Sequence, residues 1–128
     1  MGWFKRKRRR DDDLFSDYLR AKRNWTCERC KKYMYHQRHI LDASHYVTCE
    51  NETLRFDEEN VRVLCRGCHI FFHKHPYEHT KFMEELLGEQ GLQMVIVRGQ
   101  KFTKRNKAYI KSNCKLIKLK TKYLEEHV

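Results

Sequence analysis

The chain has 128 residues, 40% hydrophobic and 35% charged, which fits one domain with tails and a modest core that would gain from a metal staple. A formal charge of +11, from 28 Lys+Arg against 17 Asp+Glu, points to a polyanionic partner. No apolar run approaches membrane-spanning length, and Met1-Gly2-Trp3-Phe4 gives way at once to Lys5-Arg6-Lys7-Arg8-Arg9-Arg10 with no apolar stretch following, so neither a membrane protein nor a secreted one is expected.

In chain order, residues 1–11 read as a solvated basic arm, and Asp11-Asp12-Asp13 supplies acids suited to a helix N-terminus. Leu14, Phe15, Tyr18 and Leu19 recur at helical spacing and predict an amphipathic helix over roughly 12–23. Cys27-Glu28-Arg29-Cys30 follows directly. Ile40, Leu41, Tyr46 and Val47 flank His45 in a stretch that suits a short strand. Beyond the polar loop Cys49-Glu50-Asn51-Glu52, the residues Leu54, Phe56, Val61, Val63 and Leu64 form a second β-type segment leading into Cys65-Arg66-Gly67-Cys68. One or two helical turns from Cys68 stop at Pro76. Tyr77 to Leu87 reads as a further helix with Gly88 as its C-cap. Leu92 to Val97 suits strand and helix equally on periodicity. Thr103 can cap a last helix running to about Glu126, with Ile110, Cys114, Ile117 and Leu124 on one stripe. From Arg98 to Lys122 there are ten Lys or Arg and no acid, which favours a phosphate-binding surface over a merely solvated face. The chain therefore divides into the basic arm 1–11, a central domain 12–97 and a basic helical extension 98–128.

Six cysteines could pair as disulfides. Without a secretory signal, however, two Cys-x-x-C knuckles, Cys27/Cys30 and Cys65/Cys68, read as four thiolate ligands of one structural zinc. Such a zinc removes about two units of charge and leaves the chain strongly cationic. Cys49 and Cys114 lie outside the knuckles and read as ordinary small side chains.

The knuckles clamp a segment that carries His45 and Asn60, and the second runs straight into His69. Hydrolysis of a phosphodiester needs a base for water and a cation for the phosphate, and histidine is the natural base near neutral pH. Taken alone, His45 reads better as a half-buried polar side chain or an additional metal ligand than as a base. His69 and His73, four apart, project from one helix face and can share a metal. His36, His39, His75, His79 and His127 lack comparable support and read as surface residues.

Asp42-Ala43-Ser44-His45-Tyr46, then Leu54-Arg55-Phe56-Asp57-Glu58-Glu59-Asn60-Val61, then Leu64-Cys65-Arg66-Gly67-Cys68-His69 together resemble an HNH endonuclease, most closely the phage-encoded four-cysteine type. The resemblance spans roughly residues 14 to 90. It implies an α+β, zinc-stapled ββα-metal core with flanking helices. It further implies a divalent ion such as Mg²⁺ or Mn²⁺ for catalysis, and duplex or branched DNA as partner in phage recombination, replication or packaging, in the cytoplasm of a bacterial or phage-infected cell. Carried over by residue, His45 matches the general base, Asn60 the central asparagine and His69 the metal-binding histidine, while His73 matches a second ligand found in part of the superfamily. Many members carry Asp, Glu or His just before the base. Here that position is Ser44, a poor ligand, so that Asp42 on the same strand face substitutes, His73 takes over, or the site binds metal weakly. Arg55, Lys104, Arg105, Lys107 and Lys111 are the expected phosphate contacts. Nicking or double-strand cleavage turns on whether the chain pairs into a dimer, which the sequence leaves open.

Overall fold

The computed structural model describes residues 8–127; residues 1–7 of the expected basic arm lie outside them. Four helices and a two-stranded antiparallel sheet follow the order α1 (Arg10–Lys22), β1 (Leu41–His45), β2 (Val61–Cys65), α2 (Arg66–Lys74), α3 (Pro76–Arg98) and α4 (Lys107–Glu126), with 3-10 turns at Tyr35–Ile40 and Glu52–Leu54. The architecture is mixed helix and strand, as expected. No described helix is long and apolar enough to cross a membrane.

Helix α1 forms because its acids stand at the positive N-terminus and its apolar residues fall on one face. Phe15, Tyr18 and Leu19 from that face are buried. The helix ends in a Schellman arrangement: Trp25 N–H donates to Arg20 O at 2.8 Å and Asn24 N–H to Ala21 O at 3.0 Å. Asn24 has φ 56°, where asparagine is the usual alternative to glycine. That reversal delivers the chain into the first knuckle.

The hairpin pairs Leu41 with Cys65 and His45 with Val61. Leu41, Val61, Val63 and Leu64 are fully buried against Leu19, Phe15 and Phe72, each contributing about 1.5–3 kcal/mol of transfer free energy. The first strand ends at His45, before the Tyr46 and Val47 expected in it. Leu54 lies in a 3-10 turn instead of the second strand, which starts only at Val61. Tyr46 N–H still donates to Asn60 O, but Asn60 N–H turns to Asp57 O at 3.0 Å and its side chain binds Val47 and Leu54, so the chain closes into a loop where the ladder would have continued.

Gly88 has φ 78° and ψ 160° and breaks α3 internally, in keeping with the predicted helix stop, but the chain resumes helix afterwards. Leu92 and Val95 are buried there, which decides the ambiguous Leu92–Val97 stretch for helix. Gly99 then lies so close to the Glu52–Leu54 turn that an added Cβ would meet Leu54 Cδ1 at 2.6 Å. The last helix starts at Lys107 and not near Thr103. Asn106 is its cap, accepting from Tyr109 N–H at 2.9 Å, while Thr103 is engaged with Thr53. Ile117 of α4 joins the main core and Leu124 packs against it, so the basic extension shares the core of the central region.

Candidate metal centre and histidine cavity

Two hooks bring the knuckles together. Glu28 N–H, in the first knuckle, donates to Val63 O at 2.8 Å, and the Glu28 carboxylate accepts from Val63 N–H at 2.6 Å. Arg29 lies over the Phe71 ring of α2 at 4.0 Å and donates to Cys68 Sγ at 3.4 Å. As a result the sulfurs of Cys27, Cys30, Cys65 and Cys68 all lie within 4.8 Å of one another, with Cys30 and Cys65 at 3.9 Å. Four sulfurs held about 2.3 Å from a tetrahedral zinc are separated by about 3.8 Å, so the cluster fits a metal such as zinc. Backbone N–H groups complete the knuckles, Cys30 N–H on Cys27 Sγ and Cys68 N–H on Cys65 Sγ, both at 3.4 Å. Burial pushes the Cys27 thiol up, but the surrounding N–H groups outweigh it and bring it down to about 7. Burial raises the other three thiols. One thiolate therefore forms readily, and the remaining three need a cation to lose their protons.

Behind the hairpin end lies a cavity of about 480 Å³ lined by Ser44, His45, His69, His73 and His79 among others. His45 comes from the end of β1, and its Nε2 bonds the carbonyl of Arg55 at 2.8 Å. A carbonyl only accepts, so Nε2 carries the proton and the lone pair of the neutral ring resides on Nδ1. Asn60 is fully buried. Its Oδ1 accepts from Val47 N–H at 2.8 Å, and its Nδ2 donates to Val47 O at 3.0 Å and Leu54 O at 3.1 Å. One side chain thus ties both ends of the 47–60 loop that supplies the Arg55 carbonyl.

The guanidinium of Arg55 is 3% exposed and makes a bidentate pair with Asp12 of α1 at 2.8 and 2.6 Å, with a further bond to Cys49 O. This corrects the expectation that Arg55 binds phosphate: its head is buried, and its role is to anchor the loop whose carbonyl holds His45. Arg55→Ala takes the bidentate cation from the buried Asp12 carboxylate, which keeps its hydrogen bond from Arg9 N–H. It should lower unfolding free energy by about 3–5 kcal/mol, read by denaturant titration, and replacing Asp12 and Arg55 together with apolar residues should recover most of the loss. A near-neutral Arg55→Ala would show the pair to be incidental. The basic arm needs a similar correction. Arg9 is nearly buried, binding Asp11 and, with both terminal guanidinium nitrogens, Glu52 at 2.8 Å, so Arg9 is held in the fold and not solvated.

Asp42 does not line the cavity. Its carboxylate binds His69 Nδ1 at 3.0 Å and Arg66 at 3.0 and 3.1 Å. Burial opposes its ionisation, yet the His69 and Arg66 hydrogen bonds prevail and hold it below the usual carboxylate range. Asp42 is thus an orienting partner of His69, not a neighbour of it in the cavity. Ser44 is 2% exposed at the cavity wall. His73 is on the same helix face as His69 and lines the same space.

His79, expected at the surface, is the residue that sequence reasoning missed. It stacks on Phe72 at 4.8 Å and stands edge-on to Tyr46 at 5.0 Å, and Tyr46 in turn bonds Thr80 at 2.8 Å. Burial, then the charge of His69, lowers its pKa to about 4, so it is neutral at pH 7. Its spacing from Phe82 and Met83, three and four residues on, already placed it on the buried face. His36, His39, His75 and His127 are exposed, as expected.

Of the ten basic residues from 98 to 122, Arg98 pairs with Asp57 and Glu59 and Lys120 with Glu58. The other eight are exposed. Lys107 and Lys111 line a groove with Arg10, Lys115 and Lys118, while Lys104 and Arg105 flank the α3–α4 connection. The expected phosphate contacts of the extension therefore fall into two separate groups on the surface. Compared with family models, curated proteins and solved structures, the chain matches none.

Proposed function

We propose that this chain is a metal-dependent DNA endonuclease of the HNH type, with a ββα-metal core formed by β1, β2 and α2 and stapled by zinc at the four cysteines. The observation that carries the reading is the His45 ring, oriented by the Arg55 carbonyl and sharing one cavity with His69. With Nε2 protonated, His45 Nδ1 takes a proton from water as the water oxygen attacks phosphorus and the sugar oxygen leaves. Asn60 keeps the loop, and so the ring, in place. His69 has Nδ1 on a carboxylate, the arrangement that fixes Nε2 as a metal donor, and His73 is the second donor within reach of the cavity; a divalent ion such as Mg²⁺ or Mn²⁺ there would neutralise charge on the phosphate. The exposed lysines of α4 supply backbone contacts without sequence information, which suits duplex or branched DNA processed in phage recombination, replication or packaging.

One observation favours a second reading, a zinc module that binds nucleic acid without cutting it. Among the described residues, the four cysteines are the one group of three or more His, Cys, Asp or Glu ligands that lie within metal-sharing distance. A supercoiled-plasmid assay separates the two. The endonuclease converts plasmid to open-circular or linear form with Mg²⁺ or Mn²⁺ and is silent in EDTA. Retardation of the plasmid without conversion under every divalent ion would select the non-catalytic module.

A further inference from the structure

The α3–α4 connection carries a feature that neither the core nor the cavity uses. Phe102 is 86% exposed, the most exposed large hydrophobic side chain among the described residues. Burying a phenylalanine is worth about 1.5–3 kcal/mol, and here the backbone on both sides is held so that the ring stays out. The Thr53 hydroxyl donates to Lys101 O at 2.5 Å and accepts from the Thr103 hydroxyl at 2.6 Å. Asn51 Nδ2 donates to Gly99 O at 2.8 Å. The ring thus projects from a clamped backbone and not from a loose loop.

Beside it is a concavity of about 580 Å³ lined by Phe102, Lys101, Lys104, Arg105, Glu50 and Glu52 among others. The three cations are exposed. Of the two acids, Glu52 has both carboxylate oxygens on Arg9, leaving Glu50 as the one rim acid set against three positive charges. An exposed aromatic ring with flanking cations and adjacent open space has the components of a platform for an unpaired nucleotide: the base stacks on the ring and the phosphates meet the cations. A paired base in an intact duplex offers no such face.

We propose that Phe102, with Lys101, Lys104 and Arg105, is a binding site for an unpaired nucleotide of a DNA strand, giving the protein a preference for forked, gapped or otherwise branched DNA over intact duplex. This rests on DNA being the partner and deepens that reading by naming the DNA structure and the residues that select it. The site lies on the α3–α4 connection, on residues other than the histidines that line the cavity.

The test uses the full-length, zinc-loaded chain and two probes of equal length, a blunt duplex and a fork with 2-aminopurine in its unpaired arm. Wild type should bind the fork more tightly and quench its fluorescence. Phe102→Ala should weaken fork binding about 5- to 150-fold, the worth of stacking one base, abolish the quenching and leave duplex affinity unchanged. Phe102→Trp should preserve both. The dependence of log affinity on log salt should be the same in Phe102→Ala as in wild type, because stacking releases no counterions. In the Lys104→Gln/Arg105→Gln double variant it should flatten by about 1.4, at about 0.7 per phosphate contact on a single strand. A Phe102→Ala protein that matches wild type on both probes overturns the inference, as does one that loses fork and duplex binding equally. If wild type binds neither probe, DNA is not the partner and the proposed function falls with the inference. If wild type cleaves plasmid while Phe102→Ala behaves like wild type, the inference falls alone.

Discussion

Cys65→Ser should strip the chain of its metal and unfold it. Purified wild type should carry one zinc per chain, and its folding free energy should include zinc binding, on the order of 10 kcal/mol in small zinc modules. The position makes the test clean. Cys65 Sγ also caps α2 by accepting from Cys68 N–H, and a serine hydroxyl caps at least as well, so the substitution removes a metal ligand and leaves the helix start intact. The two knuckles are otherwise joined by the Glu28 and Arg29 contacts, which a core of this size supports only in part. Loss of zinc by metal analysis together with loss of the cooperative thermal transition is the expected result. Cys114→Ser, outside the cluster, should retain both. A wild-type protein without stoichiometric zinc, or a Cys65→Ser variant that melts as wild type does, would remove the staple from the account of stability.

His45→Ala is expected to lower plasmid cleavage by about two to four orders of magnitude, the usual worth of a positioned general base, with zinc content and DNA affinity unchanged. The hydrogen bond to the Arg55 carbonyl is lost with the ring, a change of about 0.5–1.5 kcal/mol that leaves the fold in place. His36→Ala, exposed and outside the cavity, should cleave as wild type does. Undiminished cleavage by His45→Ala would take the base assignment away from His45 and direct attention to His73 and His79 on the same cavity.

Local chemistry made much of this molecule legible in its sequence. Cys-x-x-C spacing is a property of a short turn, so the two knuckles could be recognised without knowing what lies between them, and the structure closes them into one cluster. Apolar periodicity placed α1, and a proline and a left-handed glycine marked the stop before α3 and the break within it, because those signals act within a few residues. The resemblance to HNH endonucleases suggested a group of residues, and the structure places His45, His69 and His73 on one cavity with Asn60 pinning the loop behind them; what that cavity does rests on the cleavage assays.

What the sequence did not decide was the partner of each charge and the face on which each ring falls. Arg55, Arg9 and Asp42 are ordinary charged residues in one dimension. Burial makes Arg55 an anchor for the loop that holds His45, ties Arg9 to Glu52, and turns Asp42 toward His69 and Arg66, since a charge removed from water needs a partner, and these partners are distant in sequence. His79 joins the cavity through contacts with residues far away in sequence: its ring stands against Tyr46, just beyond β1, and Tyr46 bonds Thr80 of α3. Thr103 yielded the α4 cap to Asn106 because Thr53, fifty residues earlier, claimed its hydroxyl. Spacing along the chain determines turns, helix faces and ligand pairs; which charges are buried, and against what, is decided by contacts between segments far apart in sequence, and only the tertiary structure contains them.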